Sequence, residues 1–138
     1  MTFKKNFMKK MTGIICGLAL STVLILSVPV NAASSVTSTY TIDGAYASGS
    51  CGYTSTSASA STTHLLHTTK KVTLKAYARN GSYVFLYGSD EKTAVDLNPV
   101  SITITISSVF TGAGAKATHK VTGSSGSWTG NTNSGSTL

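Results

Sequence analysis

The stretch KVTLKAYARNGSYVFLY, residues 71–87, decides the fold class. From Lys71 to Arg79 the side chains alternate, with Val72, Leu74, Ala76 and Ala78 on one side and Lys71, Thr73, Lys75, Tyr77 and Arg79 on the other. Period-two alternation of this kind makes a half-buried strand. Asn80-Gly81 follows, a dipeptide suited to the two positive φ angles of a type I′ turn, and residues 82–87 read as the return strand. A two-residue turn at Asn80-Gly81 would set Arg79 opposite Ser82, Ala78 opposite Tyr83, Ala76 opposite Phe85 and Leu74 opposite Tyr87. Small or aliphatic side chains would then face large aromatic ones.

Working outward, residues 100–109 form a second strong strand, with Val100, Ile102, Ile104 and Ile106 pointing one way and Ser101, Thr103, Thr105 and Ser107 the other. Asn98-Pro99 introduces it, Pro99 standing at a strand start where its missing N–H does least harm. Residues 88–92 read as a turn and 94–97 as a short edge segment. Gly112 and Gly114 mark a loop before an alternating run at 117–122. Upstream, residues 36–42 alternate, and Asp43-Gly44 is a turn into 45–50. Residues 53–63, almost pure Ser, Thr and Ala, suit either a closely packed strand or a mobile loop. No helical periodicity survives beyond the N-terminal leader, so six to eight short strands predict an all-β fold, a small antiparallel β-sandwich or barrel.

The leader sets the compartment. Lys4, Lys5, Lys9 and Lys10 precede an apolar run over about residues 14–28, Pro29 ends it, and Val30-Asn31-Ala32 places small residues where a signal peptidase cuts. Residues 1–32 therefore read as a cleaved secretory signal peptide, 33–123 as an antiparallel β domain, and 124–138 as a Gly/Ser/Thr/Asn-rich C-terminal tail. The apolar run is short for a membrane span and interrupted by Ser21, Thr22 and Ser27, so the mature form is expected to be extracellular without a membrane span. The whole chain carries a formal charge of +7, but four lysines leave with the leader. Seven basic residues then face four acidic ones. Lys70, Lys71, Lys75 and Arg79 supply most of that charge, a cluster better read as a solvated strand face than as a nucleic-acid groove. More than a third of residues 33–138 are Ser or Thr, a composition that could give a disordered stalk, yet all six tyrosines lie there too and argue for a core.

Chemistry is thinly signalled. Cys51 is the one cysteine left after cleavage, which excludes an internal disulfide; it reads either as a buried small residue or as a reactive thiol able to link a dimer. His64 and His67, three apart, with His119 and an aspartate from Asp43, Asp90 or Asp96, could form a metal site only if the segment turned, because residues three apart on a strand face opposite sides. No metal or other cofactor is expected. Serines are too abundant to single out a nucleophile, no Gly-x-Ser-x-Gly elbow occurs, and 112–116 lacks the spacing of a phosphate loop. Tyr40, Tyr46, Tyr53, Tyr77 and Trp128 are aromatic rings suited to stacking on a sugar or partner surface, with Tyr77 and Trp128 the candidate binding residues. Thr103 and Thr105 suggest a hydroxyl-bearing surface, though one strand is little repetition.

The expected function is a non-enzymatic extracellular binding or structural role, with a glycan or cell surface as partner and no nucleic acid. The alternatives are a bacteriocin-like secreted antagonist, whose general profile of a short cationic exported β protein this chain shares, and a small secreted hydrolase. An antagonist would kill sensitive cells when purified; a binding module would pull down glycan or wall material.

Overall fold

A computed structural model describes residues 32–138, so the leader read at residues 1–32 lies, all but Ala32, outside the described part. Eight antiparallel strands follow one another: β1 (Ala32–Ile42), β2 (Ala45–Tyr53), β3 (Ser57–Thr63), β4 (Thr68–Asn80), β5 (Tyr83–Asp96), β6 (Val100–Thr105), β7 (Thr111–Gly123) and β8 (Gly126–Gly135). They make two four-stranded sheets, ordered β1-β2-β3-β6 and β5-β4-β7-β8. None of the described residues is helical.

The core lies between the sheets. Cys51, Ala58, Ala60, Val100 and Ile102 of the first sheet meet Val72, Leu74, Ala76, Ala115 and Ala117 of the second. Alanine is half of this set. Small side chains let the sheets approach closely while Leu74 and Ile102 fill the remaining space, and a branched residue buried this way contributes about 1.5–3 kcal/mol. A second cluster, Ile42, Ala47, Val121 and Trp128 with Val36 against it, closes the side where β1 lies over β8. The Ser/Thr/Ala stretch left open by composition is thus resolved: 57–63 is β3, paired on both sides, its small side chains allowing burial on both faces.

Val72, Leu74, Ala76 and Ala78 are buried as the alternation implies, but Tyr77, placed with the solvent-side residues, is buried too, and the hairpin register also differs. Asn80 pairs with Tyr83, Arg79 with Val84 and Ala78 with Phe85, so the turn residues are Gly81 and Ser82. Gly81 has φ 59°, while Asn80 is not left-handed, the pattern of a type II′ turn with glycine at its first central position. Two consecutive positive φ angles occur instead at Asp43 (50°) and Gly44 (96°), which join β1 to β2. The pairing shifts again between Ala76 and Tyr77, where Tyr87 is the extra residue on β5; one step along, Ala113 is the extra residue on β7. Bulges side by side on both neighbours of β4 bend and twist the sheet there. Residues 88–92, read as a turn, are instead regular strand paired with 72–76 just beyond that bulge, and β5 runs on to Asp96.

Three more segments differ from the expectation. Gly112 and Gly114 lie within β7, where a side chain would strike the Thr54 carbonyl or the backbone at Ser134 and Ser136. The strand starting at Val100 ends at Thr105, although Ile106 stays buried. Residues read as a tail form β8, paired along its length with β7. Its inward positions explain this, because Trp128, Gly130, Thr132 and Ser134 alternate with exposed neighbours.

Candidate anion-binding face

The second sheet turns one face to the core and the other to solvent, and cross-strand register determines what gathers outside. Lys71 stands opposite Lys120, which stands opposite Thr129; Thr73 opposite Thr118, then Asn131; Lys75 opposite Lys116, then Asn133. Glu91 and Thr93 of β5 continue two of these rows. Two lysine pairs therefore bracket a Thr-Thr-Asn row. Strand geometry sets the members of each pair roughly 5 Å apart at Cα and the pairs roughly 13 Å apart along the strands.

One carboxylate serves this face. Glu91 Oε1 lies 2.8 Å from Lys71 Nζ, and Oε2 accepts a hydrogen bond from Thr73 at 3.0 Å. Lys71 and Thr73 together hold the Glu91 carboxyl below its ordinary range. Lys75, Lys116 and Lys120 make no ion pair among the described residues. Thr118 donates to Asn131 at 2.8 Å, fixing the middle row. Like charges placed directly opposite each other on adjacent strands are destabilising, by about 0.2–1 kcal/mol per pair, and this sheet does so twice. The arrangement can attract an extended anion that offers several charges along a flat surface.

The outer face of the first sheet has the opposite character. Ser35, Ser50, Ser61 and Ser101 form one row across all four strands, and Ala33, Gly52, Ser59 and Thr103 the next. Neither row carries a charge. Ser101 donates to Ser61 at 3.0 Å, while Ser59 Oγ is buried with no partner among the described residues. Hydroxyl repetition, seen on one strand in the sequence, here spans a sheet.

The individual candidates are placed as follows. Tyr77 is 4% exposed and Trp128 6%, so both rings are used in packing rather than presented to a partner. Tyr77 lies beside Gly114, on whose open side the backbone at Ser134 and Ser136 closes, and Trp128 belongs to the second apolar cluster. Exposed tyrosines are instead Tyr40, Tyr46 and Tyr83, the last stacked on Phe85, which meets Phe110 edge to face at 5.1 Å. Cys51 is fully buried in β2, and burial pushes its thiol above the ordinary value.

The three histidines do not converge. His64 Nε2 donates to the carbonyls of Ile42 and Ala45, and its Nδ1 accepts from the Leu66 N–H and the Thr68 hydroxyl, so this ring ties the β1–β2 turn to the β3–β4 loop. His67 is exposed. His119 is fully buried between the sheets. The Thr62 hydroxyl donates to the Lys71 carbonyl and so accepts from His119 Nδ1–H at 2.9 Å; Thr132 then donates to Nε2 at 2.8 Å. Burial alone lowers the His119 pKa to about 4. Among the described residues no three of His, Cys, Asp and Glu gather as a metal site would require. Cys51 and His119 both face the interior but do not pair: the Cys51 thiol donates to the Ala115 carbonyl, and both His119 nitrogens are taken by threonine hydroxyls.

Lys70 does not belong to the basic cluster in which sequence order put it. Its side chain follows Thr68 and precedes Val72 on the inward side of β4, fully buried, with Nζ donating to the carbonyls of Leu66 and Asp96. Burial lowers its pKa, partly offset by the Asp96 carboxylate. At the same end, Asp43 clasps the β7–β8 turn: its carboxylate accepts from the Ser124 N–H, the Ser124 hydroxyl and the Ser125 N–H, while its own N–H donates to the Ser125 hydroxyl. Those bonds hold the Asp43 carboxyl at about 2.

Sequence order concealed the site because its lysines come from runs more than forty residues apart. The available signal was Lys116 and Lys120 alternating with Ala117 and Val121, which repeats the Lys71/Lys75 spacing. Comparisons with family models, with curated proteins and with solved structures returned no match.

Proposed function

We propose that this is a secreted, non-enzymatic binding protein that uses the outer face of its second sheet to hold an anionic polymer of the cell surface, a glycopolymer carrying phosphate or carboxylate groups. The observation that supports this reading is the pair of cross-strand lysine contacts, Lys71 with Lys120 and Lys75 with Lys116. Folding alone disfavours them, and an approaching polyanion turns the same repulsion into attraction. Thr73, Thr118, Asn131 and Asn133 between and beside the lysines offer hydrogen bonds to polymer hydroxyls. A lattice without aromatic rings among its lysines suits a glycopolymer better than single-stranded nucleic acid, which binds by stacking. The leader lysines and the small-residue triplet ending at Ala32 support export.

The test is binding of residues 33–138 to poly(glycerol phosphate) and to polygalacturonate, with neutral dextran as control. Wild type should bind both polyanions with an affinity that falls as salt rises, and a Lys75→Gln/Lys116→Gln variant should lose about tenfold or more. Equal binding by wild type and variant, or preference for single-stranded DNA over both polymers, refutes the reading. Killing of sensitive cells by the purified protein would favour the antagonist alternative; release of small products from a polymer would favour the hydrolase.

A further inference from the structure

The two lateral sides of the molecule treat their sheet edges differently. On one side the edge strands among the described residues are β5 and β6. β5 carries Asp90, Glu91, Lys92 and Asp96 and is bulged at Tyr87, while β6 has six residues and follows Pro99. Charge, a bulge, proline and short length are the devices that stop a sheet edge from accepting another strand. On the other side the edges are β1, AASSVTSTYTI, and β8, GSWTGNTNSG. Neither contains Lys, Arg, Asp, Glu or Pro; β1 is irregular between Thr37 and Thr41, whereas β8 pairs with β7 without a shift.

The direction of the free backbone groups on β8 follows from its hairpin. Gly123 pairs with Gly126 across the two-residue turn Ser124-Ser125, so Gly126, Trp128, Gly130 and Thr132 exchange hydrogen bonds with β7. The intervening residues Ser127, Thr129, Asn131 and Asn133 direct N–H and C=O away from the sheet. Consistent with this, the Ser127 carbonyl accepts a hydrogen bond at 2.8 Å from the hydroxyl of Tyr40, which belongs to the other sheet. The run Thr129, Asn131, Asn133 remains, centred on Asn131.

We propose that a second copy of this chain adds to this edge, β8 against β8 in antiparallel sense about a twofold axis at Asn131, so that Thr129 of each copy pairs with Asn133 of the other. A twofold requires a self-complementary edge. The outward side chains of this one, Thr129, Asn131 and Asn133, are uncharged, so like meets like without repulsion. The lysines of β7 in the two copies then stand three strand spacings apart, roughly 14 Å, beyond the screening length at physiological salt. A β5-to-β5 contact would instead oppose charged residues. The product is one continuous eight-stranded sheet with a lysine lattice on each half of one face, which would hold a long polyanion at two points.

Sedimentation velocity of residues 33–138 in reductant, from roughly 10 μM to roughly 1 mM, should show a reversible monomer–dimer equilibrium, in the range expected of a small interface. Amide exchange followed by NMR over the same range should slow at Thr129, Asn131 and Asn133, while Trp128 and Gly130 stay protected throughout. Thr129→Pro removes an outward N–H that β7 does not use and should weaken the dimer by about tenfold or more while the thermal midpoint of the monomer is kept. Asn131→Lys, which sets two lysines side by side at the axis, should do the same and recover in high salt. A protein that stays monomeric across the range, a dimer that reductant abolishes, a dimer both variants leave intact, or exchange that slows along β5 instead would each overturn the proposal.

Discussion

Strand β7 meets two different media on alternate residues. Inward go Ala115, Ala117, His119 and Val121, all buried, and outward go Lys116, Thr118, Lys120 and Thr122, all exposed. On the inner side each group is neutral and closely fitted. Gly49 of the facing sheet lies so near His119 that a Cβ there would overlap the ring. Both His119 nitrogens are bonded to threonine hydroxyls, so the one titratable ring among these inward residues is held uncharged. On the outer side the sheet sets like charges opposite each other and neutralises only Lys71. The inside shows what the fold demands. The outside departs from what stability alone would select, which is why the binding reading rests there.

The contrast fails first if the inner side tolerates added volume. Gly49→Ala should lower stability by about 3 kcal/mol or prevent folding, because the His119 ring has bonded neighbours at both nitrogens and little freedom to retreat. Gly88→Ala, whose Cβ would meet Ile104 at an ordinary 3.7 Å, should change much less. Urea denaturation of the two variants checks the difference, and similar midpoints would show that the interior yields.

Acid provides the next test. His119 titrates at about 4 when folded and near 6.5 when unfolded, so between those values the unfolded chain binds more protons. Stability therefore rises with pH through that window and is lost as pH falls from 6.5 toward 4, by roughly 3 kcal/mol for this group. The carboxylates Asp43, Glu91 and Asp96, all lowered, add their own losses at the acid end of the range and below it. Denaturation of wild type and His119→Gln between pH 7 and pH 5 isolates the histidine: the variant should be less stable at pH 7 and show a flatter dependence.

Smaller effects belong to the turn and the outer face. Gly81→Ala forces a Cβ onto a left-handed backbone and should cost about 1 kcal/mol, whereas Asn80→Ala, at a residue with ordinary φ, should cost only a few tenths. Thermal midpoints of the two would restore the type I′ assignment if the order were reversed. Lys75→Thr should leave stability unchanged or raise it by about 0.5 kcal/mol, because it removes one of two facing charges, while weakening polyanion binding. A clear loss of stability would mean that Lys75 contributes through its stem to packing, and the outer face would lose its special standing.

The first sheet sharpens the same contrast from outside. Its outer rows of serine and threonine carry no charge, although they sit at the same alternation as the lysines of the second sheet. The exposed members of those rows, Ser35, Ser101 and Thr103, show that exposed strand positions in this protein do not require lysine. That the charged residues gather on one sheet is a property of the pairing β4 with β7, two strands not consecutive in the chain.

Alternation along a strand is local, so Val72, Leu74, Ala76 and Ala78 were legible as buried from the residues alone, as were the Asp43-Gly44 turn and the all-β class. Which strand lies beside which is not local. Register across β4 and β7 decided that Lys71 and Lys75 would meet Lys120 and Lys116, and the inward phase of β4 at its start drew Lys70 away from them onto the carbonyls of Leu66 and Asp96. Tyr77 and Trp128 look like surface aromatics on their own strands; both are buried, Trp128 over Gly130 and against Ile42 and Ala47 of the first sheet. The hairpin register moved by one residue: a type II′ turn asks for one positive φ, which Gly81 supplies, where the type I′ turn would have needed a second at Asn80. Chain composition and period-two pattern thus settled the kind of protein this is. Contacts between residues far apart in sequence, whose energies no local window contains, decided which residues share each face.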